Sequence, residues 1–285
     1  MKISGFTIIR DGVKYAYPFE EAILSILALC DEMIVNVGDC DDGTLEVVES
    51  IADTRIRILK REWDSTLRVG GNLLSVETNI ALRECSGDWC FYIQADEVLH
   101  ERYVPVVKKA MEESYGAKSI EGLRFRYKHF YGSYDYVQDN YRHWYLKEVR
   151  VIRNGMNIVS WGDAMDFKHA DGSPLAVKEI RAEIYHYGWV RPPDVLRMKR
   201  IEFHKLYHGN DEVERFSRAL EVYDDLGNLV KFEGTHPSVM LGRIGSSQWN
   251  FDPKIQDQPP NWLRKIYIFL DPVAKRVNRL FGKLP

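Results

Sequence analysis

The sequence predicts an α/β fold built on an open, mostly parallel sheet flanked by helices. Three observations carry this. Over the first hundred residues, short apolar strands alternate with amphipathic helical runs in the order β-α-β-α-β, which implies parallel pairing through right-handed crossovers. The first two strands run into polar turn sequences, Arg10-Asp11-Gly12 and Gly38-Asp39-Cys40. A third run, Trp89 to Ile93, is apolar at every position, as in a strand covered on both faces, yet it ends in Gln94-Ala95-Asp96-Glu97. Such acids fit only at a sheet rim, and in open α/β sheets the carboxyl ends of the strands are where ligands bind.

The elements follow in order. Lys2 to Ile9 is β-rich and stops at the Arg10-Asp11-Gly12 turn signal. Pro18 opens a helix over Phe19 to Leu29, with Ile23, Ile26 and Leu27 on one face. Glu32 to Val37 is a short strand, and the acidic loop Gly38 to Thr44 leads into a helix carrying Leu45, Val48 and Ile51. Ile56 to Leu59 is the third strand. A polar segment with Arg68, Gly70 and Gly71 precedes a helix from Leu74 to Glu84. After the strand at Trp89, a further helix is expected from Tyr103 to Glu113.

The second part changes character. Gly122 to Tyr131 is β-like and dense in aromatic and basic residues; Glu148 to Arg153 alternates charged and apolar residues as a strand does. Trp161 to Asp166 reads as an acid-bearing loop, and Ile184 to Val190 as a strand with a polar end. Pro192-Pro193-Asp194 starts a helix expected to stop at Gly209. Residues 233–262 are broken by proline and glycine. From Asn261 the chain reads as a basic amphipathic helix, suited either to packing on the domain or to lying on an anionic membrane surface. The expected units are residues 1–195 as the catalytic domain and 196–285 as a helical C-terminal extension.

Composition narrows the function. With 285 residues, 45% of them hydrophobic, the chain is long enough for a substantial core. A net charge of −3 and the lack of a recognised module argue against nucleic acid as a partner. Cys30, Cys40, Cys85 and Cys90 lack C-x-x-C spacing, which points away from a zinc site or disulfide framework and toward a reducing compartment. No apolar run is long enough to span a bilayer, so the expectation is a cytoplasmic protein, at most peripheral on the inner face of the membrane.

The ordered set of Cys30-Asp31-Glu32-Met33-Ile34-Val35, Asp42-Gly43-Thr44, Asn79-Ile80-Ala81-Leu82 and Gly87-Asp88-Trp89 running into Ala95-Asp96-Glu97 resembles family 2 glycosyltransferases of the GT-A fold. The likeness is to the bacterial branch that builds lipopolysaccharide core and other surface glycans. It covers residues 1–100 well, extends more weakly to His186-Tyr187, and leaves the C-terminal 90 residues uncovered. The resemblance implies a Rossmann-like GT-A domain, a nucleotide-sugar donor, a glycan or lipid-linked acceptor, and Mn²⁺ or Mg²⁺ at an Asp-x-Asp motif. Asp96 falls on the metal-binding carboxylate of that motif, beside Ala95, while Gln94 replaces its first acid and offers an amide oxygen with less charge. His186 is similar to the histidine that completes some of these sites.

Arg10, Asp11 and Asp39 are placed at strand ends to contact the nucleoside. For a general base, Asp166 is the first candidate and Asp163 the second, in a segment where the family often carries an acid. A direct displacement would invert the anomer. Each assignment has a plain alternative. Asp96-Glu97 could cap a helix, Arg10 to Gly12 and Asp39 to Gly43 could be turns, His186 could be a buried structural histidine, and Asp163 and Asp166 could be surface acids. Asp42-Gly43-Thr44 is read as a turn and helix start. Competing functions are a catalytically silent nucleotide-sugar or glycan-binding protein, motivated by Gln94, and a nucleotidyltransferase, for which the loop after the first strand is too poor in glycine.

Overall fold

The computed structural model describes residues 1–64, 66–67, 72–138, 144–205, 207–223 and 229–253. Strands β1 (Ile3–Ile9), β2 (Glu32–Gly38), β3 (Ile56–Arg61) and β4 (Trp89–Tyr92) pair in parallel in the order β3-β2-β1-β4. Helices α1 (Phe19–Leu27), α2 (Thr44–Ser50) and α3 (Asn72–Arg83) make the crossovers. The sheet then turns mixed. Strand β5 (Glu97–Leu99) and helix α4 (Val104–Tyr115) precede β6 (Gly122–Tyr131), β7 (Ser133–Gln138) and β8 (Lys147–Arg153), and β8 runs antiparallel between β4 and β6. The small hairpin of β9 (Ile158–Trp161) and β10 (Asp166–His169) follows. Then β11 (Val177–Trp189) pairs with β6 and β5, and α5 (Pro193–Lys205), α6 (Asn210–Ala219), β12 (Leu229–Lys231) and α7 (Leu241–Gly245) complete the described chain. This is the mixed, mostly parallel GT-A sheet flanked by helices, with a helical C-terminal extension.

The period-2 alternation of the strands decides which helix covers which face. Met33, Val35 and Val37 of β2, with Trp89 and Phe91 of β4, pack against Ile23 and Ile26 of α1. Ile34, Cys90 and Tyr92 point the other way, onto Leu73, Ala81 and Leu82 of α3. Full burial of such side chains is worth roughly 1.5–3 kcal/mol each, which is what selects the register.

Several expectations change in detail. No helix starts at Asp96-Glu97: Glu97 opens β5, and the next α-helix begins at Val104. The expected loop from Trp161 to Asp166 is the tip of a hairpin in which these two residues pair. The strand expected from Ile184 begins earlier, at Val177, because its first half pairs with β6 beyond the reach of any local apolar signal. Arg68, Gly70, Gly71 and the basic helix from Asn261 lie outside the described residues. Among the described residues, no helix is long and apolar enough to cross a membrane.

Candidate active site

The carboxyl ends of β1, β2 and β4 face one way, and the strand order reverses at β1, between β2 and β4. That is the place where an open α/β sheet leaves a crevice. A cavity of about 620 Å³ lies there, within the 300–1,000 Å³ common for ligand pockets. Arg10 just after β1, Gln94, Ala95 and Asp96 in the loop after β4, and His186 from β11 all line it. The hairpin tip adds Asp163, and α5 adds Lys199.

Asp96 is 8% exposed and sits among cations. Its Oδ2 accepts from Lys199 Nζ at 3.1 Å and lies 3.7 Å from His186 Nε2. Burial by itself would raise the Asp96 carboxyl; the positive charges beside it, Lys199 first and Arg191 with it, more than reverse this and hold it well below the usual carboxylate range. Lys199 Nζ also donates to the Gly188 carbonyl at 2.8 Å. Burial first, and then the neighbouring Arg191, push the Lys199 ammonium down to about 8 in spite of Asp96. Two cations face one carboxylate, so the carboxylate gains from both while each cation is opposed by the other; burial adds to the Lys199 shift and works against that of Asp96.

The tautomer of His186 follows from its neighbour. Burial, and then His186 itself, keep His129 neutral, with its pKa well below the usual range. Neutral His129 donates from Nε2 to the Tyr145 carbonyl at 2.7 Å, which leaves its Nδ1 as an acceptor. His186 Nδ1, at 3.0 Å, therefore donates to it, and His186 Nε2 faces Asp96 as a lone pair. Gly188 is required beside them. A Cβ there would lie 2.5 Å from His186 Nε2 and 2.7 Å from Asp96 Oδ2.

Glu97, the second acid of the motif, does different work. It is fully buried in a bidentate pair with Arg150, Nε to Oε2 and Nη2 to Oε1 both at 2.8 Å. Tyr127 Oη donates to Glu97 Oε1 at 2.7 Å, and the Gln94 backbone N–H to Oε2 at 3.1 Å. Arg150 Nη1 reaches the Met165 carbonyl at 2.7 Å. Gln94 Nε2 donates to the Ala164 carbonyl at 3.1 Å. The acidic loop after β4 is thereby fastened to the hairpin tip. The helix-cap alternative for Glu97 falls, since a carboxylate whose oxygens are all held by Arg150, Tyr127 and the Gln94 amide is not available to a helix end.

At the nucleoside side, Arg10 donates to Asp39 twice, from Nε to its carbonyl at 3.1 Å and from Nη2 to Oδ2 at 3.2 Å. Asp39 Oδ1 accepts from the Trp63 backbone N–H at 3.0 Å, so β1, β2 and the segment after β3 are tied at one corner. Trp63 lines the cavity with Arg10 over its ring. Asp11 borders a second hollow beside Arg10 and Asp39, not the main cavity. Asp42 accepts from Thr44 N and Oγ1 and from Lys14 N, the expected turn and helix start.

The two acids considered for the base separate. Asp163 lines the cavity and accepts from Tyr207 Oη at 3.0 Å. Asp166 is not among the lining residues; its Oδ1 accepts from the Val149 backbone N–H at 3.2 Å, joining the hairpin to β8.

Asp96 Oδ2 and the His186 Nε2 lone pair are ligands of the right type for Mn²⁺. The surroundings are not those of a resident cation. Asp96 already holds an ammonium, Gln94 supplies no charge, and Glu97 is neutralised by Arg150. The residues around Asp96 do not fit a divalent ion in this arrangement. Elsewhere, His204, His208 and Glu212 bring their ligand atoms within 4.8 Å of one another, an arrangement consistent with divalent-metal use.

Several cavity-side residues carried no signal in the sequence. Lys199 and Arg191 flank a proline-initiated helix start with nothing to aim them at Asp96. Arg150 reads as a water-facing residue of an alternating strand, and Trp63 follows a strand like any loop aromatic. Only Gly188, two positions after His186, is of a type that marks close approach.

The sequence model of glycosyl transferase family 2 matches residues 18–172. The lipopolysaccharide core biosynthesis glycosyltransferase LpsC of Rhizobium meliloti is 28% identical over 131 residues, covering 45% of this chain and 44% of that protein. The match thus spans less than half the length of that curated relative. Among solved structures, S. aureus TarS aligns over 75% of this chain and 42% of its own at 16% identity, with a TM-score of 0.45. Glucosyl-3-phosphoglycerate synthase of Mycobacterium tuberculosis aligns over 46% of this chain and 43% of its own at 22% identity, with a TM-score of 0.32.

Proposed function

The chain belongs to glycosyl transferase family 2, and from that premise we propose that it moves a sugar from a nucleotide-sugar donor to a hydroxyl of a glycan or lipid-linked acceptor. One observation carries the reading: the ends of β1 and β4 open on a single cavity that holds cations, Arg10 and Lys199, and a separate carboxylate, Asp163. A diphosphate needs the former and an acceptor hydroxyl the latter.

In this reading the Arg10–Asp39–Trp63 corner holds the nucleoside, with polar edges to hydrogen-bond and an indole to stack on. Gln94, Ala95 and Asp96 form the floor beneath the diphosphate. Of the two acids singled out in the sequence, Asp163 takes the base role, held in place by Tyr207. The acceptor oxygen forms a bond to the sugar C1 as the bond from C1 to the β-phosphate oxygen breaks. The electron pair leaves with the phosphate, and the acceptor proton passes to Asp163. A single displacement of this kind inverts the anomer. A divalent ion would supply positive charge to a leaving diphosphate; among the described residues His204, His208 and Glu212 could hold one, and of these His204 lines the cavity.

Residues 1–195 supply the donor and base sites, and α5, which begins at Pro193 and crosses that boundary, adds Lys199 and Arg200 to the cavity wall. A surface-glycan acceptor assembled at the cytoplasmic face of the membrane suits this division, with the basic sequence from Asn261 as the contact to lipid.

A thermal-shift screen of nucleoside diphosphates and nucleotide sugars, each with and without Mn²⁺, tests the proposal. One base series is expected to raise the melting temperature; a ligand at a hundred times its Kd adds about 2.7 kcal/mol. If no nucleotide sugar stabilises the protein more than adenosine or inorganic phosphate does, the reading is wrong. Tight donor binding with no sugar release or transfer under any acceptor would instead identify a silent binder.

A further inference from the structure

The charge around Asp96 does not balance. Arg191 is buried, the Lys199 side chain is 16% exposed at the cavity wall, and Asp96 is the carboxylate that faces them. Arg191 is 0% exposed; its Nη1 donates to the Tyr15 carbonyl at 2.8 Å, and its guanidinium lies 4.7 Å from the Tyr17 ring centroid. Its Nε and Nη2 have no acceptor in hydrogen-bond geometry. Lys199 Nζ sits 4.9 Å from the same Tyr17 ring, and Tyr17 itself lines the cavity. A buried cluster with one positive charge in excess is costly unless an anion completes it. The excess lies at the cavity wall, where a strand-end carboxylate would ordinarily call for a metal ion.

We propose that Lys199, backed by Arg191, binds the donor diphosphate directly and takes the place of a divalent ion at Asp96. This rests on the glycosyltransferase reading for the identity of the anion, though not for the existence of the anion site. In the ligand-free protein Asp96 holds the Lys199 ammonium at the wall. When a diphosphate enters, its oxygens share that ammonium, and the negative charge that develops on the β-phosphate as its bond to the sugar breaks is met by Lys199. No redox change or proton transfer is required of Lys199. The Gly188 carbonyl, which Lys199 also contacts, fixes the ammonium from the other chain segment.

The test is calorimetric titration of the full chain with inorganic pyrophosphate in EDTA, then with Mn²⁺ present. Wild type is expected to bind pyrophosphate in EDTA. Lys199→Met should weaken that binding at least tenfold, and Lys199→Arg should stay within about threefold of wild type because the charge and reach survive. Asp96→Asn, which removes the competing carboxylate, should bind pyrophosphate in EDTA at least as tightly as wild type. A metal site would give the opposite result, with loss of binding on Asp96→Asn. This second variant decides the matter if Lys199→Met fails to fold. Equal affinity of Lys199→Met and wild type in EDTA, or wild-type binding seen only with Mn²⁺, overturns the proposal. Repeating the titration with the nucleotide sugar selected by thermal shift separates the two readings. Lys199-dependent pyrophosphate binding without any nucleotide-sugar binding would remove the transferase reading and leave the anion site. Metal-dependent donor binding insensitive to Lys199→Met would do the reverse.

Discussion

Arg150→Met should be among the most damaging substitutions in this protein. Wild-type Arg150 and Glu97 are both 0% exposed and share two hydrogen bonds of 2.8 Å. Removing the guanidinium leaves Glu97 with the Tyr127 hydroxyl and the Gln94 amide, two donors for a carboxylate that had four. Breaking one side of a buried pair costs about 3–5 kcal/mol, because the remaining charge is stranded. At about 2–4 °C per kcal/mol in a domain of this size, the melting temperature should fall by roughly 6–20 °C. Urea denaturation measures the change directly, with a constant slope confirming that stability and not the unfolded state has moved. The Glu97→Gln/Arg150→Met double variant should lose less than the sum of the two single variants, by about 0.5–3 kcal/mol. The pair also fastens the acidic loop to the hairpin tip through the Met165 carbonyl, so transfer activity should fall with stability. A cost below about 1 kcal/mol for Arg150→Met, or strict additivity in the cycle, would refute the buried-pair account.

Three further outcomes are expected. Gly188→Ala forces a Cβ to within 2.5 Å of His186 Nε2, so it should destabilise by about 1–3 kcal/mol. It should also weaken donor binding, as read by thermal shift and calorimetry; wild-type behaviour in both would show that the close approach is not rigid. Asp163→Asn should lower kcat by about 10²–10⁴ with little change in donor affinity, the size of a general-base contribution. Asp166→Asn, whose oxygen holds the Val149 amide and not the cavity, should leave kcat within a few-fold; the reverse ranking would move the base assignment to Asp166. Acid should destabilise the fold in two steps. Burial keeps His129 neutral with a folded pKa far below 6.5, so the unfolded chain binds the extra proton and stability falls below pH 6.5 at up to about 1.4 kcal/mol per pH unit. Glu32 is opposed by burial, but its hydrogen bonds from Ser4, Ser86 and Lys2 carry its pKa down to about 2, so a second loss runs from near 4.5 toward 2. Denaturation midpoints across pH 2 to 8 measure both steps, and His129→Gln should flatten the upper one.

The sequence by itself determined the parallel half of the sheet and the rim on which the site sits. Those features rest on local pattern: period-2 apolar strands, helical runs between them, and polar turns where strands end. Asp96 was legible for the same reason, as an acid at the end of a strand too apolar to be anything but central. Arg10 and Asp39 followed as the turn residues of neighbouring strands, and the structure joins them in one ion pair.

What only the tertiary structure decided are the partners. Asp96 and Glu97 are adjacent in the chain, yet one turns to the cavity and the other is buried against Arg150, 53 residues away. Nothing in their spacing distinguishes them, because the difference is made by what packs on each side. Asp163 and Asp166 sort in the same way, one in the turn of a hairpin and the other as the first residue of its returning strand, a pairing the sequence read as loop. Lys199 is the furthest case, since it meets Asp96 across 103 residues. Periodicity and turn chemistry act over a few residues, whereas electrostatic neutralisation acts through space. At Asp96, to which the sequence reading assigns a metal, the fold brings the Lys199 ammonium once α5 is carried back over the strand ends.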